Sequence, residues 1–481
     1  MEKIIKKIRL VAENEDTGVF IVGGYMRDFL LNKKSYDMDI CVSKYAENFA
    51  KKLAKIMDGK FIILDSANEN YRVALLKDES LKYIDVSGMK GKNIKEDLKK
   101  RDFTLNALAV SINHFYDIKN NIIDLFKGYD DLKNKTVNAV SDIVFKQDPV
   151  RMLRCFRIAS ELNFTISKKT LSLVKKNAGL IKKAAPEMIK NEFFRVLSSK
   201  NSAGYIELMD EYGLLENIFP VITEMKKSAR KFYYHPKGLF QHTMLTLDSL
   251  EKILNDTHKY FKSSNAELLK HLDVNYSENV NKKNLLKFIA LFHDCAKPDC
   301  AKKVDGKLRF LDHENIGADK IEVIMQKMKM SKKEIQYAKN IVSSHMRPSN
   351  LLKTGTATER AKLRLFRDIG ENIPDLLIMA LADWHSYKNL KVYSKKILEM
   401  QQNKVSKFID DYFETSKKIS EPKIIDGNIL MKKLFLKPGK IIGELLKIIR
   451  EKQNKGLIST EKEALLFAKS KLTALQKRYK I

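Results

Sequence analysis

The sequence predicts an α/β head followed by an all-α remainder, in a chain of several domains. Three observations carry this expectation. Strand-like runs such as YDMDICV, FIILD, YRVALL and KYIDV alternate with segments of helical periodicity up to about residue 137. From residue 148 onward apolar residues recur at helical spacing with few turn signals. The 481 residues suggest roughly three domains, and 44% hydrophobic residues are ample for their cores.

The first stretch, MEKIIKKIRLVAENED, reads as a short helix without the apolar block and cleavage site of a signal peptide. No apolar run approaches the ~20 residues that a membrane span needs. Cys41, Cys155, Cys295 and Cys300 lack zinc-ligand spacing, so reduced thiols in a cytoplasmic protein are expected, with no membrane partner. Ninety Lys and Arg against sixty Asp and Glu give a net charge of +30, a field suited to a partner made of phosphates.

The chain is organised around residues 21 to 42, IVGGYMRDFLLNKKSYDMDICV. Gly23 and Gly24 let backbone N–H groups approach a phosphate, and a helix beginning there adds its positive end. Arg27 and Asp28 follow on that helix. In a strand, Asp37 and Asp39 point to one face, and paired carboxylates with hard oxygens suit Mg²⁺ alongside substrate phosphates. A phosphate cradle followed by a metal-binding Asp-x-Asp describes a nucleotidyl transferase.

Residues 45 to 57 then read as a helix and FIILD, YRVALL and KYIDV as strands, the last presenting Asp85. In EDLKKRDFTLNALAV, residues 96 to 110, Arg101, Asp102 and Asn106 recur at one-turn spacing if a helix starts there. Residues 122 to 137 give a strand, a turn at Gly128 and a connection. DPVRMLRCFRIASELNFTI, residues 148 to 166, reads as an amphipathic helix with Asp148 at its N-terminus. Asp148 and Arg151 share a face that Arg154 and Arg157 continue.

These stretches resemble the motifs of the DNA polymerase β-like nucleotidyltransferases, specifically the class II tRNA nucleotidyltransferases and the related bacterial poly(A) polymerases. The resemblance implies a mixed-sheet head in which Asp37 and Asp39 hold Mg²⁺ ions, with Asp85 as a third carboxylate. It implies that Gly23, Gly24 and Arg27 hold a triphosphate and that RDFTLNA, through Arg101, Asp102 and Asn106, engages the ribose. A 2′-OH is told apart by such hydrogen bonds. Asp148 and Arg151, with Arg154 beside them, would read the base edges of CTP or ATP, acceptors and donors supplied by the protein itself. The sequence departs from the family pattern at Lys100, where a first arginine is usual, and at Gln147, where a glutamate is.

Two further features bear on which reaction is expected. The Gly-Arg-Arg-Phe-type segment of the poly(A) polymerases is replaced by DGKFIILD, which favours CCA addition. The connection VSGMKGKNIK, residues 86 to 95, is short, and some relatives with a short connection add only two Cs. Full CCA addition is therefore expected, with CC addition, A addition and poly(A) synthesis as alternatives.

A second constellation follows: His242 in QHTMLTLDSL, His293-Asp294 in IALFHDCAKP, His313 in DHENIGADKI, His345 in SSHMRP and Asp383 in LALADWHSY. Imidazoles and carboxylates are ligands for divalent transition metals. The order resembles the HD superfamily of metal-dependent phosphohydrolases. The resemblance implies a minimal metal set of His242, His293, Asp294 and Asp383, which His313 and His345 would extend. A protein acting chiefly as an HD hydrolase on RNA ends is the alternative of a different class. By resemblance the chain divides into a catalytic head (1–137), a helical neck and body for base and tRNA binding (138–225), an HD domain (226–400) and a helical tail (401–481). Residues 424 to 471 match the family's C-terminal pattern and read as helices divided at Pro438-Gly439 and at Gly456.

Overall fold

The computed structural model describes residues 1–76, 81–228, 238–353, 358–387, 394–420, 424–454 and 457–479. They form two compact units, one of Met1–Glu251 with Asn275–Ser343 and one of Lys252–Val274 with Ser344–Ile481. Each is described by itself.

The first unit opens with the expected head. Its seven strands are β1 (Val19–Val22), β2 (Asp37–Val42), β3 (Lys60–Asp65), β4 (Asn70–Ala74), β5 (Tyr83–Gly88), β6 (Leu108–Ser111) and β7 (Ile123–Asp124), in the order β3-β4-β5-β2-β1-β6-β7. Only β2 and β5 run parallel; every other neighbour is antiparallel, so the sheet is mixed. Alternation along β2 decides what the sheet offers. Met38 and Ile40 are buried on one face, and Asp37, Asp39 and Cys41 share the other. Cys41 packs with Val22, Ala107 and Ala109 beneath Ile94 and Leu98 of the helix Ile94–Lys99. The carboxylate end of the same face is left open to solvent. The helices Glu2–Asn14 and Ala46–Met57 bury Ile5, Ile8, Phe49 and Leu53.

The short connection after β5 is pinned. Lys90 N–H donates to Asp97 Oδ1 at 3.0 Å and Lys92 N–H to Glu96 Oε2 at 2.8 Å. Gly91 sits at φ +141°, and a Cβ there would meet the Glu96 side chain at 2.6 Å. Beyond it the predicted helix over RDFTLNA is not formed. The helix ends at Lys99, Arg101 and Asp102 lie in a bend, and Thr104–Asn106 is a single 3₁₀ turn. Backbone bonds from Val140 N to Asp102 O and from Thr104 N to Asn138 O, both 3.0 Å, hold this segment extended instead.

The remainder is mainly helical, as expected, with three departures. β8 (Thr136–Val137) pairs with β9 (Thr165–Ile166), β10 (Asn275–Ser277) with β11 (Val280–Asn281), and β12 (Ala301–Val304) with β13 (Lys307–Phe310). The 148–166 helix also begins later than predicted, at Arg151. Pro149 is the reason: it disfavours helical dihedrals in the residue before it, and Asp148 is extended at φ −148°, ψ 101°.

Within the first unit, Phe193, Phe194, Phe219, Phe288 and Phe292 form an aromatic core with ring centroids 4.9 to 6.5 Å apart. Beside it Glu251 is buried on the helix Leu239–Asn255. It accepts from Ser202 N–H and Oγ–H (both 2.7 Å), Ala203 N–H (3.2 Å) and Lys287 Nζ (2.7 Å). A helix start and a buried ammonium are thus both satisfied by one carboxylate.

The second unit is helical. The helices Gly427–Leu434, Lys440–Asn454 and Glu461–Tyr479 close on Leu430, Ile441, Leu445, Ile449, Ala464 and Ala468. A break falls at Pro438-Gly439 as predicted; Gly456 lies outside the described residues. In the apolar helix Ile373–His385, the buried Asp375 meets His271 Nε2 at 2.9 Å. Among the described residues no helix is long and apolar enough to cross a membrane. All four cysteines are free and buried, and burial pushes the Cys41 and Cys295 thiols up to about 12.

Candidate functional site

β1 passes into the helix Gly23–Leu30 at Gly23, whose φ of +66° is the left-handed conformation that glycine adopts without strain. A Cβ on Gly23 would lie 3.0 Å from Asp39 Oδ2 and 3.3 Å from Arg101 Nη1; one on Gly24 would lie 3.3 Å from the same carboxylate oxygen. Tyr25 N–H donates to that oxygen at 3.1 Å. The glycine turn therefore rests directly against Asp39. Burial raises the Asp39 carboxyl above its ordinary range, and nearby Asp85 adds to the rise while the Tyr25 N–H opposes it. Asp37, further out on the same face, is also raised by burial, against the pull of Arg72.

The parallel register sets Asp39 directly beside Asp85, so three carboxylates share one face of two adjacent strands. Arg72, opposite Asp85 on β4, grips it through Nε to Oδ1 at 2.6 Å and Nη2 to Oδ2 at 2.8 Å. The third carboxylate is present where it was expected, and it is already engaged by a guanidinium.

From this cradle a polar ladder runs into the helical part of the same unit. Arg27 bonds its neighbour Asp28 at 2.9 and 3.0 Å, and its Nη1 donates to Asn106 Oδ1 at 3.1 Å. Asn106 Nδ2 donates to Asp102 Oδ1 at 3.2 Å, and Arg154 Nη1 lies 3.3 Å from Asp102 Oδ2. Glu192 receives Arg154 at 3.2 Å and Arg157 at 2.6 Å. Asp102 is buried, which opposes ionisation, yet Arg154, the Asn106 amide and the Phe103 N–H hold its carboxyl below the usual range. Arg151 Nη2 donates to the Lys100 carbonyl at 3.2 Å and its Nε lies 3.6 Å from Asp148 Oδ2. The base-reading candidates are thereby tied to the segment that carries Arg101 and Asp102.

The second constellation is built, within the first unit, around Asp294. His242 Nε2 and His293 Nε2 each lie 3.4 Å from Asp294 Oδ2, and His313 Nε2 lies 3.4 Å from Oδ1. His293 Nδ1 donates to the Ala290 carbonyl at 2.9 Å and His313 Nδ1 to the Phe310 carbonyl at 2.7 Å. A carbonyl only accepts, so both neutral rings turn a lone pair, not an N–H, toward the carboxylate. That donor set fits a divalent cation. Lys297 Nζ lies 2.5 Å from Asp294 Oδ2. Burial opposes the Asp294 charge, but the Lys297 ammonium beside it favours the carboxylate, and the carboxyl lies well below the usual range. In the second unit, His345 is buried ahead of the helix Met346–Lys353, and Asp383 is half-buried on Ile373–His385.

Comparison with known proteins bears on both centres. The Poly A polymerase head domain family matches residues 19–138, the probable RNA- and SrmB-binding site of polymerase A matches residues 163–226, and the putative tRNA nucleotidyltransferase domain 2 matches residues 307–468. In these three stretches the chain is similar to the poly(A) polymerases and tRNA nucleotidyltransferases. The CCA-adding enzyme of Lactobacillus helveticus is 34% identical over 44% of the chain and 55% of its own length. The CC-adding tRNA nucleotidyltransferase of Geobacter sulfurreducens is 35% identical over 44% and 48%. The chain thus spans about half the length of these two relatives. The A-adding tRNA nucleotidyltransferase of Deinococcus radiodurans is 25% identical over 94% of both. The structure of the Thermotoga maritima CCA-adding enzyme complexed with tRNA shares the fold, with a TM-score of 0.63 and 22% identity over 98% of this chain and 96% of that one.

The structure draws Gly23, Gly24, Arg101, Asp39 and Asp85 together, and links Arg27, Asn106, Asp102 and Arg154 in one chain of contacts. Sequence reasoning missed Arg72 and Glu192. Neither has a local signal, because each meets its partner through tertiary pairing. Asp28 was noticed but given no task; it fixes the Arg27 guanidinium.

Proposed function

We propose that this chain adds CMP and then AMP to the 3′ end of tRNA, from CTP and ATP, with release of pyrophosphate. The observation that carries this reading is the seating of the Gly23-Gly24 turn against Asp39, with Asp37 on the same face and Arg27 and Arg101 close by. The family implies a divalent metal, and Mg²⁺ is the ion these hard oxygens suit. Asp37 and Asp39 would hold it. When bound it would activate the 3′-hydroxyl and neutralise charge developing on the pyrophosphate.

The chain's own groups do the rest. N–H groups at the start of the Gly23–Leu30 helix and the Arg27 and Arg101 guanidiniums bind and orient the triphosphate. Asn106 and Asp102, held by Arg27 and Arg154, present an amide and a carboxylate to the ribose. Asp148 and Arg151 offer the acceptor and donors that a base edge requires. The four expected regions, 1–137, 138–225, 226–400 and 401–481, and a cytoplasmic location belong to this reading.

The experiment is extension of a tRNA lacking its last three nucleotides, with Mg²⁺ and CTP, ATP or both. Three nucleotides added with both, and two with CTP alone, support CCA addition. A stop at two with both makes it a CC-adding enzyme, one residue added only to a tRNA ending in CC an A-adding one, and long tails from ATP alone a poly(A) polymerase.

A second reading rests on the ring orientations around Asp294: His242, His293, Asp294 and His313, with Asp383 and His345 as further candidates, would hold a divalent transition metal for phosphoester hydrolysis. Metal analysis of purified protein after loading with Mn²⁺ or Co²⁺ tests it. His293→Ala should lose bound metal; equal content in the variant would overturn the assignment.

A further inference from the structure

Two guanidiniums reach the Gly23-Gly24 turn, and each is held from behind by a carboxylate. A Cβ on Gly24 would lie 3.6 Å from Arg27 Nη2, and one on Gly23 would lie 3.3 Å from Arg101 Nη1. Behind Arg27 stands Asp28. Behind Arg101 stands Asp97, buried on the helix Ile94–Lys99, whose Oδ2 accepts Arg101 Nε–H at 3.0 Å. Its other oxygen, Oδ1, accepts the Lys90 N–H at 3.0 Å, so a backbone donor from the connection after β5 fixes the plane of the carboxylate.

The two arginines differ in which donors they keep. Arg27 is engaged at all three nitrogens, Nε and Nη2 on Asp28 and Nη1 on Asn106. Arg101 gives only Nε, and among the described residues its Nη1 and Nη2 donate to no acceptor. A guanidinium gripped at Nε keeps both Nη groups as a planar fork, the shape that meets a phosphate through two parallel bonds. The grip has a second effect. The point 3.3 Å from Arg101 Nη1 is also 3.0 Å from Asp39 Oδ2. An Arg101 free to turn would be drawn onto that carboxylate, which would neutralise a cation facing the phosphates and a proposed metal ligand together.

We propose that Asp97 is a positioning residue for nucleotide binding: it holds Arg101 at Nε so that both Nη groups meet the triphosphate, and it withholds them from Asp39. This role rests on the reading of the glycine turn as the triphosphate cradle, and Asp97 itself touches no substrate. A carboxylate in the first turn of a helix is also favoured for stability alone, and Asp97 lies in such a turn. Nucleotide affinity separates the two roles, because a helix-end charge would leave it unchanged.

The test is calorimetric titration of the full chain with CTP or ATP in saturating Mg²⁺, alongside extension of a tRNA lacking its last three nucleotides. Asp97→Asn should weaken nucleotide binding about tenfold, the order of one charge-assisted hydrogen bond. It should raise KM with kcat kept, since the contact is made both before and during transfer. Arg101→Met should lose as much, and the double variant no more than Arg101→Met alone, because the two residues act as one unit. Should Asp97→Asn fail to fold, Arg101→Lys decides with Asp97 in place. An ammonium paired with Asp97 leaves no fork for a phosphate, so its loss should match that of Arg101→Met. Affinity unchanged in Asp97→Asn, losses that multiply in the double variant, or full affinity in Arg101→Lys would each overturn the proposal. If the wild type binds nucleotide but extends no tRNA, the transfer reading fails while the affinity ratios still decide the role of Asp97. If it binds neither nucleotide, both readings fail.

Discussion

Arg72 holds Asp85 with both arms, at 2.6 and 2.8 Å, while Asp85 lies beside Asp39 in the parallel pairing of β2 and β5. A cation from the protein thus sits at the edge of the carboxylates proposed to hold metal. Arg72→Met removes one positive charge and releases Asp85. The Mg²⁺ concentration for half-maximal transfer should fall about threefold to tenfold, the effect of ~1 kcal/mol expected from one charge at a half-exposed site. Stability should change by no more than about 1 kcal/mol, since the pair is partly exposed. An unchanged Mg²⁺ dependence would show that Asp85 does not share in the metal site.

Asp39→Ala should reduce transfer by at least about 10³-fold, the order of an electrostatic contact acting on developing charge. The circular dichroism spectrum and tRNA binding should be retained. Gly23→Ala tests the same contact from the other side. The added methyl would meet Asp39 Oδ2 at 3.0 Å in a left-handed backbone. A cost of about 1–2 kcal/mol in stability and a fall in kcat of ~10²-fold from misplacement are expected.

The Asp102 carboxyl titrates below its ordinary range, so its folded-state value lies under the unfolded one. Its contribution to stability is then complete above the ordinary carboxylate range near pH ~4 and is lost as pH falls through the folded value. Asp102→Asn should cost about 3 kcal/mol at neutral pH, because Arg154 loses a buried partner. The difference in melting temperature from wild type should narrow on acidification below pH ~4. A gap that stays constant with pH would show that the charge itself contributes little.

Glu251 accepts from the Ser202 and Ala203 N–H groups and is the carboxylate that pairs with Lys287 Nζ, which also donates to the Ser199 carbonyl. Glu251→Ala should destabilise the first unit by about 3–5 kcal/mol, the cost of stranding a buried charge. Pairing it with Lys287→Met should recover part of the loss, measured by urea unfolding of the full chain. Strict additivity of the two substitutions would deny their coupling.

Much of this was legible in the sequence because it is local. The Asp-x-Asp alternation, the glycine turn and the head strands follow from the spacing of neighbouring residues, and the sheet appeared where those runs lie. Pro149 was also in plain view, and it should have delayed the helix after Asp148. The Asp305-Gly306 pair between alternating residues was a hairpin signal passed over in favour of helix. Other features had no local trace. Arg72 meets Asp85 only once the register of β4 and β5 is set, and Glu192 joins Arg154 to Arg157 only through helix packing. The stretch RDFTLNA has helical spacing, but long-range backbone bonds to Asn138 and Val140 won over it.

The pinned turn after β5 sets the proposed product apart from how well the chain holds together. Residues 90 and 92 are tied through their N–H groups to the Asp97 and Glu96 carboxylates of the helix that follows. Lengthening such a segment carries only a slow entropic penalty, about 0.6 kcal/mol for each doubling. Insertions there can be gained or shed across lineages almost without selection against unfolding. If this connection sets how many nucleotides are added, as the resemblance implies, product length can drift in evolution, or be redesigned, while the scaffold stays as it is.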